Sequence, residues 1–123
     1  MQILIDFDAT VVLNEYPFMG EEIDGAVEVL KQLTDKGHEL ILVTMREGHL
    51  LDEAEEWFAV RDIEIKYSNC NPTFETGSRK IYGHLIIDDK CLGIPLIHDM
   101  DIHKKPFVHW GKVETMLKER GII

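Results

Sequence analysis

The sequence predicts a small α/β domain with a doubly wound parallel sheet, and two observations favour this fold class. Short apolar runs that suit buried strands alternate along the chain with segments whose apolar residues recur at helical spacing. The 123 residues correspond to one domain, because no repeat or linker-like stretch divides them. Strands that alternate with helices form right-handed crossovers, so we expect a single three-layer domain over residues 1–123, with helices on both faces of the sheet.

The first half of the chain predicts two strand–helix pairs. Residues 2–7 form an apolar run with branched side chains, which is typical of a strand buried on both faces. An irregular stretch over 11–22 precedes a predicted helix at about 24–36, which Gly37 closes. Residues 39–44 predict the second strand. The apolar stripe of the second helix then consists of Leu50, Leu51, Ala54, Trp57 and Phe58.

The second half predicts two further strands and one helix. Apolar and polar residues alternate from Ile63 to Tyr67, as in a third strand, and a polar loop follows over 68–78. The apolar residues 85–87 predict a fourth strand that ends at Asp88, and a last helix is expected over about 110–120.

Composition excludes several classes of function. Thirteen Lys and Arg against 23 Asp and Glu give a formal net charge of −10, which repels nucleic-acid backbones and anionic lipid headgroups. Residues 1–15 contain no basic leader, and no window reaches the roughly 18 apolar residues that a membrane span needs. Cys70 and Cys91 form no Cys-x-x-Cys pair, which favours reduced thiols. We therefore expect a cytoplasmic protein without nucleic-acid or membrane partners.

Polar residues, many of them acidic, follow three of the predicted strands. They are Asp6 and Asp8 after the first strand, Thr44, Met45 and Arg46 after the second, and Asp88 and Asp89 after the fourth. Open α/β sheets bind ligands at the carboxyl ends of their strands. Four carboxylates at one edge would repel each other unless a cation neutralised them. An all-oxygen ligand set suits Mg²⁺, which commonly shares its shell with a substrate phosphate, and this predicts phosphoryl transfer.

With these motifs the sequence resembles the haloacid dehalogenase-like (HAD) phosphohydrolases, and in particular small bacterial and phage members without a cap. The first family motif, an apolar strand followed by Asp-x-Asp-x-Thr, is matched by residues 3–10. The second, a strand that ends in Thr, is matched by residues 40–44, and Lys80 can serve as the third. Residues 85–89, a strand that ends in two acids, match the fourth.

The resemblance implies a two-step hydrolysis through an aspartyl-phosphate. Asp6 would attack phosphorus, and Asp8 would protonate the leaving oxygen and then activate water. Because side chains alternate along a strand, Asp6 and Asp8 can reach one site while Phe7 packs beneath it.

The resemblance also assigns the remaining site residues. Thr44 would bind a phosphoryl oxygen and Lys80 would offset negative charge. Mg²⁺ would be held by Asp6, Asp8, Asp88 and Asp89, with Asp8 contributing its backbone carbonyl and Asp89 as the favoured direct ligand of the last pair. Substrate-binding candidates are Thr10, Thr44, Met45 and Arg46. Ala9 departs from the glycine that is usual in the family, which puts catalytic efficiency in question.

The same resemblance predicts the strand order 3-2-1-4, because only neighbouring strand ends can bring Asp6, Thr44 and Asp89 to one phosphate. The dozen or so residues over 11–22 have room for a flap but for no cap domain. A homo-oligomer could close such an open site, or a small or bulky phosphorylated substrate could close it by itself. The substrate stays open among a sugar phosphate, a nucleotide, a phosphoprotein and a polynucleotide end, of which the net charge of −10 disfavours the last most. Two other functions are open: a receiver-like phosphoacceptor module and a catalytically weak HAD-fold binding protein.

Overall fold

The computed structural model describes residues 1–74 and 76–123, and within them it contains three α-helices and six short strands. The strands are β1 (Gln2–Ile5), β2 (Glu39–Leu42), β3 (Ile65–Ser68), β4 (Leu85–Ile87), β5 (Leu96–Ile97) and β6 (Phe107–Val108). The helices are α1 (Ala26–Asp35), α2 (Gly48–Ala59) and α3 (Trp110–Glu119), and a 3₁₀ turn covers Pro72–Phe74. Among the described residues, no helix combines the length and the apolar character needed to cross a membrane.

Four strands form a parallel sheet in the order β3-β2-β1-β4, which confirms the predicted strand order. Ile5, the last residue of β1, is in register with Leu42 of β2 and with Ile87 of β4. The three strands therefore end at the same level, with β1 in the middle. The residues that follow them meet at one edge of the sheet.

One face of the sheet forms the main core with all three helices. In a parallel sheet, residues in register point to the same face, so Ile3, Leu40 and Leu85 share a face. These residues belong to one apolar cluster with side chains from each helix, such as Leu30 of α1 and Phe58 of α2. The predicted apolar stripes of the helices therefore pack as expected, but all on one side.

The expected helical layer on the opposite face is wrong for the described part of the chain. There, Gln2 hydrogen-bonds the side chains of Asn71, at 2.9 Å, and Thr73, at 3.2 Å. A Cβ at Gly83 would lie 2.6 Å from Cγ of Leu4, so the chain crosses β1 closely only because residue 83 is glycine. The connection between β3 and β4 is rich in turn residues, and its described part covers this face with the 3₁₀ turn of Pro72–Phe74 and with the close approach of Gly83.

The hairpin of β5 and β6 was not predicted, because each strand has only two residues and no alternating pattern. The predicted third strand begins two residues later than expected, at Ile65. The hairpin and α3 hold the loop that follows β1: the Val108 N–H donates to the Ala9 carbonyl at 3.0 Å, and the Trp110 indole donates to the Thr10 carbonyl at 2.7 Å. This segment thus fixes the position of the acidic loop.

Candidate active site at the strand ends

The acidic loop begins directly after β1. The Asp6 N–H donates to the Ile87 carbonyl at 3.0 Å, which continues the β1–β4 pairing for one more residue. Phe7 is fully buried, and its ring meets Trp57 and Phe58 edge-on at centroid distances of 5.7 and 5.8 Å. The burial of Phe7 sends the flanking Asp6 and Asp8 to the other side, as the alternation in the sequence predicts.

Three carboxylates form a compact cluster at this edge of the sheet. Oxygen atoms of Asp6, Asp88 and Asp89 all lie within 4.8 Å of one another. The buried Thr10 hydroxyl joins two of them: it donates to Oδ2 of Asp6 at 2.9 Å and accepts the Asp89 N–H at 3.1 Å. Thr10 is fully buried, so it supports the acids and does not face a substrate, contrary to the expectation for this residue.

The electrostatics of the cluster favour a cation. Burial raises the pKa of Asp6 to about 8, and the neighbouring Asp88 and Asp89 add to the increase. Burial, together with Asp89, also raises the pKa of Asp88. With a pKa of about 8, the Asp6 carboxyl holds its proton at neutral pH unless a positive ion replaces it. The donor set is entirely oxygen, which suits a hard divalent ion such as Mg²⁺.

The Asp8 carboxylate lies outside this cluster because it is paired with the Arg46 guanidinium. The Arg46 guanidinium donates from Nε to Oδ2 of Asp8 at 2.9 Å and from Nη2 to Oδ1 at 2.8 Å. Arg46 is 0% exposed, so it is not available as a substrate-binding residue, contrary to expectation. Among the described residues the Asp8 carboxylate is also not part of the three-acid cluster, which leaves the expected metal contact of Asp8 to its backbone carbonyl.

Arg46 also holds the short flap between the acidic loop and α1. It donates to the carbonyl oxygens of Pro17, at 3.4 Å, and Phe18, at 2.9 Å. Its guanidinium carbon lies 5.1 Å from the centre of the Phe7 ring and 5.5 Å from that of Tyr16. One buried cation therefore connects the second strand end, the acid Asp8 and the flap.

The acids open into a cavity of about 520 Å³. Thr44 and Met45 from the end of β2 line it, as predicted, together with Tyr16 and Asn14 from the flap. The Thr44 N–H donates to Oδ1 of Asn69 at 2.8 Å. The complete lining is Asp6, Asp8, Asn14, Tyr16, Thr44, Met45, Asp88, Asp89, Lys90 and Lys105.

No family model matches the sequence, and no curated protein matches it. A solved structure of a conserved protein coded by a locus of Bacteroides thetaiotaomicron is 41% identical. The match covers 98% of this chain and 91% of that one, with a TM-score of 0.79. The chain belongs to the family of that conserved protein. The fold described above is therefore the fold of this family.

Lys80 does not line the acidic cavity, although its assignment as the third family motif requires it to lie beside the acids. Lys80 is exposed and lines a different cavity, of about 440 Å³, beside residues 69–82. The lysines that line the acidic cavity are Lys90 and Lys105, and Nζ of Lys90 lies 3.7 Å from Oδ2 of Asp89. The connection to β4 is held against the sheet by Asn71, at 2.9 Å from Gln2, which leaves the exposed Lys80 outside the acidic cavity.

Sequence reasoning also missed Asn14, Tyr16 and Lys105. Tyr16 lies in the segment that the sequence predicts as a flap, so its place could be inferred, but its contact with Arg46 depends on tertiary packing. Lys105 precedes β6 and reaches the site only because the unpredicted hairpin folds back on the acidic loop.

Proposed function

We propose that this protein is a Mg²⁺-dependent phosphomonoester hydrolase of the cap-less HAD type, acting on a small phosphorylated molecule through an aspartyl-phosphate on Asp6. The observation that carries the proposal is the cluster of Asp6, Asp88 and Asp89, whose oxygens lie within 4.8 Å at the ends of two neighbouring strands. Parallel α/β sheets bind their ligands at the carboxyl ends of their strands. Mg²⁺ that is bound by carboxylates in proteins usually also coordinates a substrate phosphate.

The surroundings of the cluster support the proposal. The strand order β3-β2-β1-β4 puts Thr44 on one side of Asp6 and the pair of acids on the other. The cavity of about 520 Å³ has room for a small phosphate ester. Among the described residues, the flap between the acidic loop and α1 is short, and no cap domain covers the cavity.

The first chemical step is assigned to Asp6. Its carboxylate oxygen attacks phosphorus, the bond from phosphorus to the ester oxygen breaks, and the alcohol leaves after taking up a proton. In the second step water attacks the phosphorus of the acyl phosphate, which returns the Asp6 carboxylate and releases phosphate. Mg²⁺ held by Asp6, Asp88 and Asp89 would offset the negative charge of the phosphate and of the acids.

Asp8 is assigned the proton transfers, and its contact with Arg46 defines how it can act. A carboxylate has roughly four acceptor positions, and Arg46 occupies one on each oxygen. The other positions remain for the leaving oxygen or the attacking water, because Asp8 lines the cavity. Arg46 is therefore a positioning residue in this proposal, and the Asp8 side chain cannot rotate without breaking two hydrogen bonds.

A rapid acid quench with an activated aryl phosphate and Mg²⁺ tests this assignment. The Asp6→Asn variant is expected to show neither turnover nor a phosphoenzyme. The Asp8→Asn variant should lose about 10²–10⁴-fold in turnover and still accumulate phosphoprotein, because an activated leaving group departs without an acid. Peptide mapping should then locate the label on Asp6. Asp24→Asn, which changes an exposed acid near α1, is the matched control.

Three outcomes would contradict the proposal. Hydrolysis at the parent rate by Asp6→Asn would exclude Asp6 as the nucleophile, and label on Asp8 would reverse the two roles. Full activity after complete chelation would exclude the metal. A stable phosphoenzyme in the parent protein, formed once and not hydrolysed, would instead indicate the receiver-like function.

A further inference from the structure

We infer that the substrate of this site is a small phosphate monoester whose leaving group carries a planar aromatic ring, and that Tyr16 and Met45 bind this ring. The inference rests on the proposed function, because the phosphate of the same molecule would lie on the acidic cluster. It adds a substrate class and two specificity-determining residues.

The cavity lining combines chemically different side chains. The carboxylates of the acidic cluster line it together with the large apolar side chains of Tyr16 and Met45. Tyr16 is 50% exposed and Met45 is 91% exposed, although both are large apolar side chains. Single exposed apolar residues are ordinary, but two that line the same cavity as the reactive acids form a built apolar surface for a ligand.

Tyr16 is held in place before any ligand binds. The Arg46 guanidinium stands 5.5 Å from its ring centre and donates to the carbonyl oxygens of the next two residues, Pro17 and Phe18. The Tyr16 N–H donates to Oδ1 of Asn14 at 3.2 Å. On the other side, Glu15 pairs with Nε2 of His103 at 2.6 Å. Because these contacts already order Tyr16, a ligand ring that stacks on it loses little free energy to the ordering of the flap.

The chemistry of the two side chains selects a ring over a sugar. Aromatic rings stack on a tyrosine ring, and a thioether such as that of Met45 makes favourable contacts with ring edges. A sugar or a glycerol group would instead place hydroxyls against the ring face and the thioether, where they lose hydrogen bonds to water. The phosphate end has complementary charge, because Lys90 and Lys105 line the same cavity.

The test compares substrates with and without a ring in the presence of Mg²⁺. Adenosine 5′-monophosphate and phenyl phosphate carry a ring, and glycerol 3-phosphate does not. We expect kcat/KM of the parent protein to favour the ring-bearing esters. We also expect Tyr16→Ala to reduce the ratio of ring-bearing to ringless kcat/KM about 10-fold, since a base or other ring stacks favourably on an aromatic side chain.

Four variants make the comparison specific. Tyr16→Phe keeps the ring and should keep the ratio. Phe18→Ala removes a 76% exposed aromatic side chain from the same flap, and Met100→Ala removes a 77% exposed methionine, yet neither residue lines the cavity. Both should leave the ratio unchanged, whereas Met45→Ala should lower it. A higher kcat/KM with adenosine 5′-monophosphate than with phenyl phosphate would indicate a nucleoside, because phenolate is the better leaving group and phenyl phosphate would otherwise react faster.

The outcomes separate this inference from the proposed function. If the parent protein hydrolyses glycerol 3-phosphate as efficiently as the two ring-bearing esters, or if Tyr16→Ala lowers all three equally, the inference is overturned and the hydrolase stands. If no ester is hydrolysed, the proposed function fails, and calorimetry with adenosine 5′-monophosphate and Mg²⁺ decides the inference. Binding that Tyr16→Ala weakens about 10-fold supports it, and absent or Tyr16-independent binding overturns it.

Discussion

Arg46 and Asp8 form a buried, two-pronged ion pair in which Nε and Nη2 donate to the two carboxylate oxygens at 2.9 and 2.8 Å. The pair joins the end of β2 to the loop after β1, two segments that the parallel sheet brings side by side. The hydrogen bonds that Arg46 donates to Asp8 raise the pKa of Arg46, so the cation is held charged in the interior. The pair therefore fixes Asp8 and, through Pro17 and Phe18, the flap.

This relationship predicts a large loss of stability when Arg46 is replaced by Met. The variant leaves a largely buried Asp8 carboxylate without its partner, and breaking such a pair costs about 3–5 kcal/mol. The matched control is Arg61→Met, which breaks an exposed pair with Glu22 and should cost only about 1 kcal/mol. Urea unfolding of both variants measures the difference. Equal losses would show that the burial of the first pair has no energetic weight.

The Thr10 hydroxyl predicts a second, separable effect. Thr10→Val keeps the shape of the side chain but removes the donor to Asp6 and leaves the Asp89 N–H without its acceptor, at a cost of about 1–3 kcal/mol. Thr10→Ser retains the hydroxyl and should restore most of the lost stability and Mg²⁺ affinity. Calorimetric titration with Mg²⁺ provides the second readout. Similar Mg²⁺ affinities of the Val and Ser variants would exclude the hydroxyl as an organiser of the cluster.

Much of the fold followed from the sequence because its strands and helices carry clear periodicities. The apolar runs of β1, β2 and β4 and the stripe ending at Phe58 needed no tertiary information. The acids at Asp6, Asp88 and Asp89 were predictable for the same reason, since strand ends in a parallel sheet meet at one edge. The connection over 69–84 was not, because a chain without periodicity can cover a sheet face in many ways.

The errors at the site have a common physical cause. Arg46 and Thr10 were expected to face a substrate because polar residues near a strand end are usually accessible. In the structure both side chains are 0% exposed, because each forms hydrogen bonds with a residue that is distant in sequence: Arg46 with Asp8, and Thr10 with Asp89. Spacing along the chain indicates which residues reach the edge of the sheet. It does not distinguish a side chain that points into the cavity from one that supports its neighbours.

The position of Lys80 leads to a third prediction. Lys80→Met should change kcat/KM for an aryl phosphate by less than about threefold, because the side chain lies on a different cavity. Lys105→Met removes a cation that lines the acidic cavity, and it should raise KM about 10-fold through weaker attraction of the phosphate. Steady-state kinetics at low ionic strength compares the two. A loss in Lys80→Met that exceeds the loss in Lys105→Met would restore Lys80 to the site.

The raised pKa of Asp6 predicts that the metal-free protein loses stability as pH rises. The pKa of this carboxyl is 3.8 without the fold and about 8 within it. Between these values the unfolded chain has released the proton that the folded protein still binds, so the free energy of unfolding falls with rising pH. One proton limits the slope to about 1.4 kcal/mol per pH unit. Carboxyls whose pKa the fold lowers from 4.5, such as those of Glu15, Glu39 and Glu114, act with the opposite sign, because they add stability as pH rises toward and through 4.5, at the acidic end of this window.

Urea unfolding between about pH 5 and pH 8 in the presence of a chelator measures this slope. The Asp6→Asn variant should have a shallower profile, while Asp24→Asn, an exposed control, should keep that of the parent. The six histidines are common to all three proteins, so the difference between profiles reports Asp6 together with the neighbouring acids that interact with it. Saturating Mg²⁺ should flatten the parent profile, because an ion that binds the carboxylate form replaces the proton. Identical profiles for the parent and Asp6→Asn, with and without Mg²⁺, would mean that Asp6 ionises normally and that the acidic cluster has no need of a cation.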